Sequence, residues 1–230
     1  MNINALTGQE QDHLARFTSN HKLHRGILTP FSQLQQAASE HGIALFIVSS
    51  FRSFDRQLAI WNGKFTGERT VYDDKNHPID MSQLDEWEKC QAILRFSALP
   101  GASRHHWGTD LDVFDRNAVS NSYQVELTHQ EYSYDGPFSK LVSFLEDHAE
   151  KFGFFLPYQH YQGGVAREPW HISYQPLATH FQSRLSTQAL RDVISTANIE
   201  GRASILANLD LIVEQYVMNI CQPTTPESGS

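Results

Sequence analysis

The chain has 230 residues, 40% of them hydrophobic, 11% aromatic and 19% charged, enough to close a large apolar core without disulfide staples. Two cysteines, Cys90 and Cys221, with no CxxC spacing exclude a disulfide framework and make thiol chemistry a poor theme. With 18 Lys plus Arg against 26 Asp plus Glu, the formal charge of -8 argues against a nucleic-acid partner, because phosphate binding needs clustered cations.

The first 17 residues are polar and read as a capped amphipathic helix, without the basic and apolar regions of a secretory signal, so a cytoplasmic location is expected. Residues 43–48 form the longest apolar stretch, far below the roughly 20 residues of a membrane-spanning helix. Residues 30–41 carry helix formers and end at Gly42, so they predict a helix leading into a buried strand over 43–48, closed by Ser49 and Ser50. A helical pattern resumes over 53–61, and residues 62–80 mix Gly, Pro and charge without period, as a long surface loop does.

Residues 82–96 predict a helix capped by Ser82, followed by a Pro-Gly turn. Over 109–115 apolar and acidic residues alternate as in a half-buried strand, with Leu111 and Val113 on one side and Asp110, Asp112 and Phe114 on the other. Two carboxylates thereby share one strand face. Residues 116–137 read as an irregular insertion, 138–152 as a helix stopped by Gly153, and 170–174 as a short strand after a loop around Gly163 and Gly164.

From 176 the pattern is helical, over 187–199 and 202–219 with a break at Gly201 and an apolar stripe through Ile205, Leu209, Ile212 and Val217. This predicts a helical hairpin over 176–220 that extends the core or forms a homodimer contact, with a flexible tail over 221–230. The fold class is therefore α+β: a small antiparallel sheet flanked by helices in a domain over 1–175, with an added C-terminal hairpin.

Two segments carry the chemistry: SRHHWGTDLD over 103–112 and EPWH over 168–171. Imidazole nitrogens and a carboxylate oxygen suit Zn²⁺, and a catalytic zinc takes three protein ligands so that a fourth position stays open to water. The donors are His105 or its neighbour His106, Asp112 or Asp110, and His171; Glu168 lies three residues before His171, free to serve a reaction.

These segments resemble the motifs SxHxxGxxxD and ExxH of the zinc D-alanyl-D-alanine carboxypeptidases and dipeptidases of the vancomycin-resistance type. Ser103, His105, Gly108 and Asp112 stand in the first motif, and Glu168, Trp170 and His171 in the second. A third element, SxxRS followed by Gln, is matched by SSFRSFDRQ, giving Arg52 and Gln57. The three occur in order over roughly residues 34–174.

The resemblance implies that His105, Asp112 and His171 bind one zinc ion and that Glu168 is the general base. It further implies that Arg52 steadies the developing oxyanion and that Ser103 and Gln57 hold the end of a peptidoglycan peptide. The sequence departs from the family at Asp110, where a small residue is usual; Asp110 either orients a ligand histidine or competes as ligand. Trp107 and Trp170 read as packing. The expected activity is removal of a C-terminal D-alanine. Alternatives are an L,D-carboxypeptidase, a wall endopeptidase and an inert zinc module; an iron oxygenase is disfavoured by the seven-residue separation of His105 and Asp112.

Overall fold

The computed structural model describes residues 1–223; of the tail expected over 221–230, residues 224–230 lie outside the described residues. The amino terminus departs from the sequence expectation. Only α1 (Ile3–Leu6) forms there, capped by the Asn2 side chain, and the chain then enters a small hairpin of β1 (Leu14–Arg16) and β2 (Lys22–His24). The helix stops because Gly8 turns with φ +81° against a histidine: a Cβ there would meet His106 Nδ1 at 2.4 Å.

Next come α2 (Leu28–Glu40), β3 (Leu45–Ser49) and α3 (Phe54–Phe65), the last capped by Ser53 and one turn longer than expected. The loop predicted over 62–80 holds a short hairpin of β4 (Val71–Tyr72) and β5 (Pro78–Ile79). Helix α4 (Glu86–Leu94) starts four residues after the expected Ser82 cap. Asp85 caps it, with Glu88 reaching back in a reciprocal capping box, whereas Ser82 sits in a preceding 3₁₀ turn.

Strand β6 (Asp110–Asp115) follows, then α5 (Ser139–His148), whose 3₁₀ continuation ends at Gly153, β7 (Phe154–Phe155) and β8 (His171–Tyr174). The principal sheet is antiparallel in the order β3-β6-β8-β7. Its register decides the site: Asp112 pairs with His171 and Asp110 with Ser173, so both aspartates project from one face beside the β8 residues that meet them. A bulge between Ile47 and Ser49 shifts the β3 register against β6 before Ser49 pairs with Asp112.

The expected C-terminal hairpin is a larger layer of α6 (Gln175–Arg184), α7 (Thr187–Thr196), α8 (Arg202–Ala207) and α9 (Leu209–Ile212), ending in a π-helical turn, Val213–Met218. The helix predicted over 202–219 breaks at Asn208, whose side chain donates to the Ser204 carbonyl and competes with the helical ladder. The apolar stripe turns inward on this same chain: Ile205, Leu209 and Ile212 are buried with Trp61, Cys90, Trp107 and Phe181. A second cluster lies under the sheet, with Phe31, Leu45, Leu111, Val113, Phe138, Phe154, Trp170 and Ile172. Cys221, where a loose tail was expected to begin, donates its amide to the Pro157 carbonyl at 2.8 Å. Among the described residues no helix is long and apolar enough to cross a membrane.

Candidate active site

His105 sits in the 3₁₀ turn Arg104–Trp107, which ends at Gly108 in the left-handed region with φ +68°. A Cβ at Gly108 would come within 2.5 Å of Leu14 Cδ2 and 2.8 Å of the His24 amide nitrogen, so this turn needs glycine for conformation and for space. The turn delivers the chain into β6 and places His105 across from Asp112 and His171. Ligand atoms of these three buried residues all lie within 4.8 Å of one another.

Each imidazole is oriented from behind. His105 Nδ1 donates to the Ser50 carbonyl at 3.0 Å, which leaves Nε2 facing Asp112 Oδ2 at 3.3 Å. His171 Nε2 meets Asp110 Oδ1 at 3.1 Å, leaving Nδ1 towards Asp112 Oδ1 at 3.1 Å. Asp112 Oδ1 nevertheless makes no well-formed hydrogen bond, a costly state for a buried acceptor within a protein. Three donor atoms converging on one point, one of them an orphaned carboxylate oxygen, fit a divalent cation, and an N,N,O set held by outer hydrogen bonds suits zinc.

The two ambiguities of the sequence separate cleanly. His106 is enclosed: Nδ1 donates to the Arg52 carbonyl at 2.6 Å and Nε2 accepts the Gly101 amide at 3.1 Å, so neither nitrogen is free for a metal. Burial lowers its pKa to about 3. Asp110 is likewise committed, Oδ1 accepting from Arg104 Nε at 2.7 Å as well as facing His171, and Oδ2 accepting from Thr109 Oγ1 at 2.7 Å. It is the orienting carboxylate of His171.

The electrostatics follow from this packing. Burial favours the neutral forms, but the facing histidines pull Asp112 well below the usual carboxylate range, as Arg104 and His171 do for Asp110. For His171 burial acts downward, yet the two aspartates hold its pKa up at about 10. Glu168, with Oε2 3.5 Å from His171 Nδ1, is pushed up to about 7 by burial against the opposing pull of His171.

His105, Asp112, His171 and Glu168 line a cavity of about 690 Å³, whose wall also includes Arg52, Lys64, Ser103, Tyr158 and Trp170. Ser103 and Arg52 are on that wall. Gln57, expected to hold the peptide end, is fully buried behind it: Oε1 accepts from Arg52 Nη1 at 2.9 Å and Nε2 donates to the Ala98 carbonyl at 2.7 Å. With both amide groups engaged, Gln57 meets Arg52 rather than the cavity. Trp107 packs as expected, donating Nε1 to the Leu6 carbonyl, whereas Trp170 is both packed on Tyr132 and part of the cavity wall.

Sequence reasoning missed the outer shell and the far wall. Arg104 connects Asp110 to Ser173 Oγ at 2.7 Å and to Gln182 Oε1 at 2.9 Å, so α6 is wired to the support of His171. Tyr216 and Val217 of the π-helical turn also line the cavity. The neighbouring Gln215 and Asn219 side chains donate to the Gly163 and Gln162 carbonyls in the loop before Glu168. Lys64 had a readable signal: it follows Gln57 by seven residues, two helical turns along the same face of α3.

A helix-flanked antiparallel sheet that carries a carboxylate beside a convergent histidine and aspartate set, all opening on a cleft, has the form of a hydrolytic site. The chain belongs to the VanY family of D-alanyl-D-alanine carboxypeptidases, whose family model matches residues 20–177. A Haemophilus influenzae relative described as "Uncharacterized protein" is 50% identical over 98 residues, covering 41% of this chain and 67% of its own. The same fold occurs in the solved structure "VanYB in complex with D-Alanine-D-Alanine", with TM-score 0.52 and 21% identity over 83% of this chain and 92% of that one. It occurs again in the LdcB LD-carboxypeptidase, with TM-score 0.53 and 19% identity over 77% of this chain and 75% of that one.

Proposed function

We propose that this protein is a zinc carboxypeptidase that removes a C-terminal D-alanine from peptidoglycan peptides, with specificity for the D-alanyl-D-alanine bond. The observation that carries the reading is the convergence of His105 Nε2, His171 Nδ1 and Asp112 within 4.8 Å, with Glu168 Oε2 3.5 Å from His171 Nδ1 in one cavity. His105, Asp112 and His171 would hold the ion. Zinc bound there supplies Lewis acidity, polarising a carbonyl and lowering the pKa of water from 15.7 to about 7.

The chain's own residues then divide the labour. Glu168, poised near neutrality by burial, takes a proton from the attacking water and returns it to the departing amine, both transfers being favoured by a pKa close to the working pH. Arg52 stands in the cavity wall with its guanidinium fixed by Gln57 Oε1 and by Ser49 Oγ at 3.0 Å, so its charge is directed at the carbonyl oxygen as that oxygen becomes anionic. Gln57 positions Arg52, and Ser103 offers its hydroxyl to the peptide. Asp110, through His171 Nε2, fixes the tautomer that presents Nδ1.

The test is metal analysis of the purified chain coupled to release of D-alanine from two synthetic peptides, a pentapeptide ending in D-Ala-D-Ala and a tetrapeptide ending in a single D-Ala. Zinc at one equivalent and cleavage of the pentapeptide are expected. Cleavage of the tetrapeptide alone moves the bond to the L,D type, and a zinc-loaded chain that cleaves neither overturns the function.

A further inference from the structure

Among the described residues, two partly buried cations on the cavity wall, Arg52 and Lys64, lack a carboxylate partner; Lys75, also on that wall, is exposed. Arg52 is held by Gln57 and Ser49, and Lys64 Nζ makes a hydrogen bond to Ser97 Oγ at 2.7 Å; among the described residues no Asp or Glu forms an ion pair with either. The other nearby arginines are committed, Arg104 to Asp110 and Arg95 to Asp74 at 2.6 Å. Burial, with Arg52 adding to it, lowers Lys64 to about 8, so the ammonium is charged at neutral pH in a setting that disfavours the charge. Such a group is completed by an anion that arrives with the ligand.

We propose that Lys64 is the anchor for the free α-carboxylate of the peptide's last residue, and that this anchor makes the cleft an exopeptidase site. The inference rests on the peptidase reading above and adds its specificity. The two cations are ordered along α3: Arg52 is tied to Gln57 Oε1, and Lys64 stands two helical turns further along the same face. In a C-terminal residue, the scissile carbonyl and the terminal carboxylate are one residue apart, about 3.8 Å between equivalent atoms. A carbonyl served by Arg52 beside the ligand cluster thus sets the carboxylate one step outward, on the Lys64 side. Ser97 Oγ uses one of the three ammonium donors, and two remain for the carboxylate oxygens.

Lys64 also occupies the last turn of α3, where a cation suits the helix terminus, so the test must read something a structural lysine would not move. That readout is the ratio of activity on a D-alanyl-D-alanine peptide with a free carboxylate to activity on the same peptide amidated at its C-terminus, measured on the zinc-loaded full chain. Wild type is expected to prefer the acid. Lys64→Met is expected to lower kcat/KM for the acid about 10- to 100-fold, mainly through KM, to change the amide rate far less, and so to collapse the ratio. Lys64→Arg is expected to preserve much of it. Lys64→Gln keeps a donor for Ser97 without the charge, and serves if the Met variant does not melt like wild type. A folded Lys64→Met or Lys64→Gln protein with the wild-type ratio, or a wild type indifferent to amidation, overturns the proposal. If the wild type cleaves neither wall peptide, the function fails separately, and binding of the same acid and amide by calorimetry decides Lys64: equal affinities in the wild type reject it, and an acid preference lost in Lys64→Met sustains it.

Discussion

The sheet and the C-terminal helical layer handle polarity in opposite ways. Along β6 and β8 the buried positions include Asp110, Asp112, His171 and Ser173, a dense set of charged and polar groups. Across the C-terminal layer the buried positions include Leu190, Ile194, Ile205, Leu209 and Ile212, and its polar groups reach the site singly, as Gln182 does to Arg104. The difference teaches that reactivity is concentrated in the sheet, where register fixes it, while the helices supply burial and a few restraints. Burial by the second region is what makes the charges of the first strongly coupled.

Substitutions grade the contrast. His171→Ala in the sheet is expected to abolish metal binding and lower turnover at least about 10³-fold, read by metal analysis and peptide assay. Glu168→Ala is expected to keep the metal and lose about 10² to 10⁴ in kcat, and near-normal turnover in that variant refutes its role as base. Asp110→Asn, which leaves every ligand in place, is expected to weaken metal affinity about 10- to 100-fold in a chelator competition. Gln182→Ala in the helical layer is expected to cost only about 1 kcal/mol of stability, with metal affinity changed a few-fold at most. A loss as large as that of Asp110→Asn would erase the division between the regions.

Proton linkage sharpens the same line. In the metal-free protein His171 is raised from 6.5 to about 10 by its aspartates, so its contribution to stability is complete below pH 6.5 and is lost as pH rises through 10. Metal binding must displace that proton. Apparent zinc affinity is therefore expected to climb with pH between 7 and 9, up to about tenfold per unit, and a flat profile would show that His171 is not a ligand.

The candidate ligand set was legible because His105, Asp112 and His171 stand at fixed spacings within short segments, and two of them fall on strands whose alternation marks the face. The choice between His105 and His106 was readable only through the motif register; the physical reason, His106 held between the Arg52 carbonyl and the Gly101 amide, exists only in the folded chain. Asp110 was visible as an oddity whose partner, Arg104, lies six residues away but turns toward it through a 3₁₀ bend that local pattern does not reveal. The misread amino-terminal helix and the misplaced cap at Ser82 share a cause. Local propensity was overruled by a tertiary contact at Gly8 and by a stronger reciprocal cap at Asp85.

The β3 bulge at residue 48 carries a lesson for tolerance to length changes. Downstream of it, within four residues, come Ser49 on the guanidinium, the Ser50 carbonyl on His105 and Arg52 itself. Deleting that single residue would leave a smoother ribbon but slide all three contacts at once. Length at this one corner is under tighter restraint than composition.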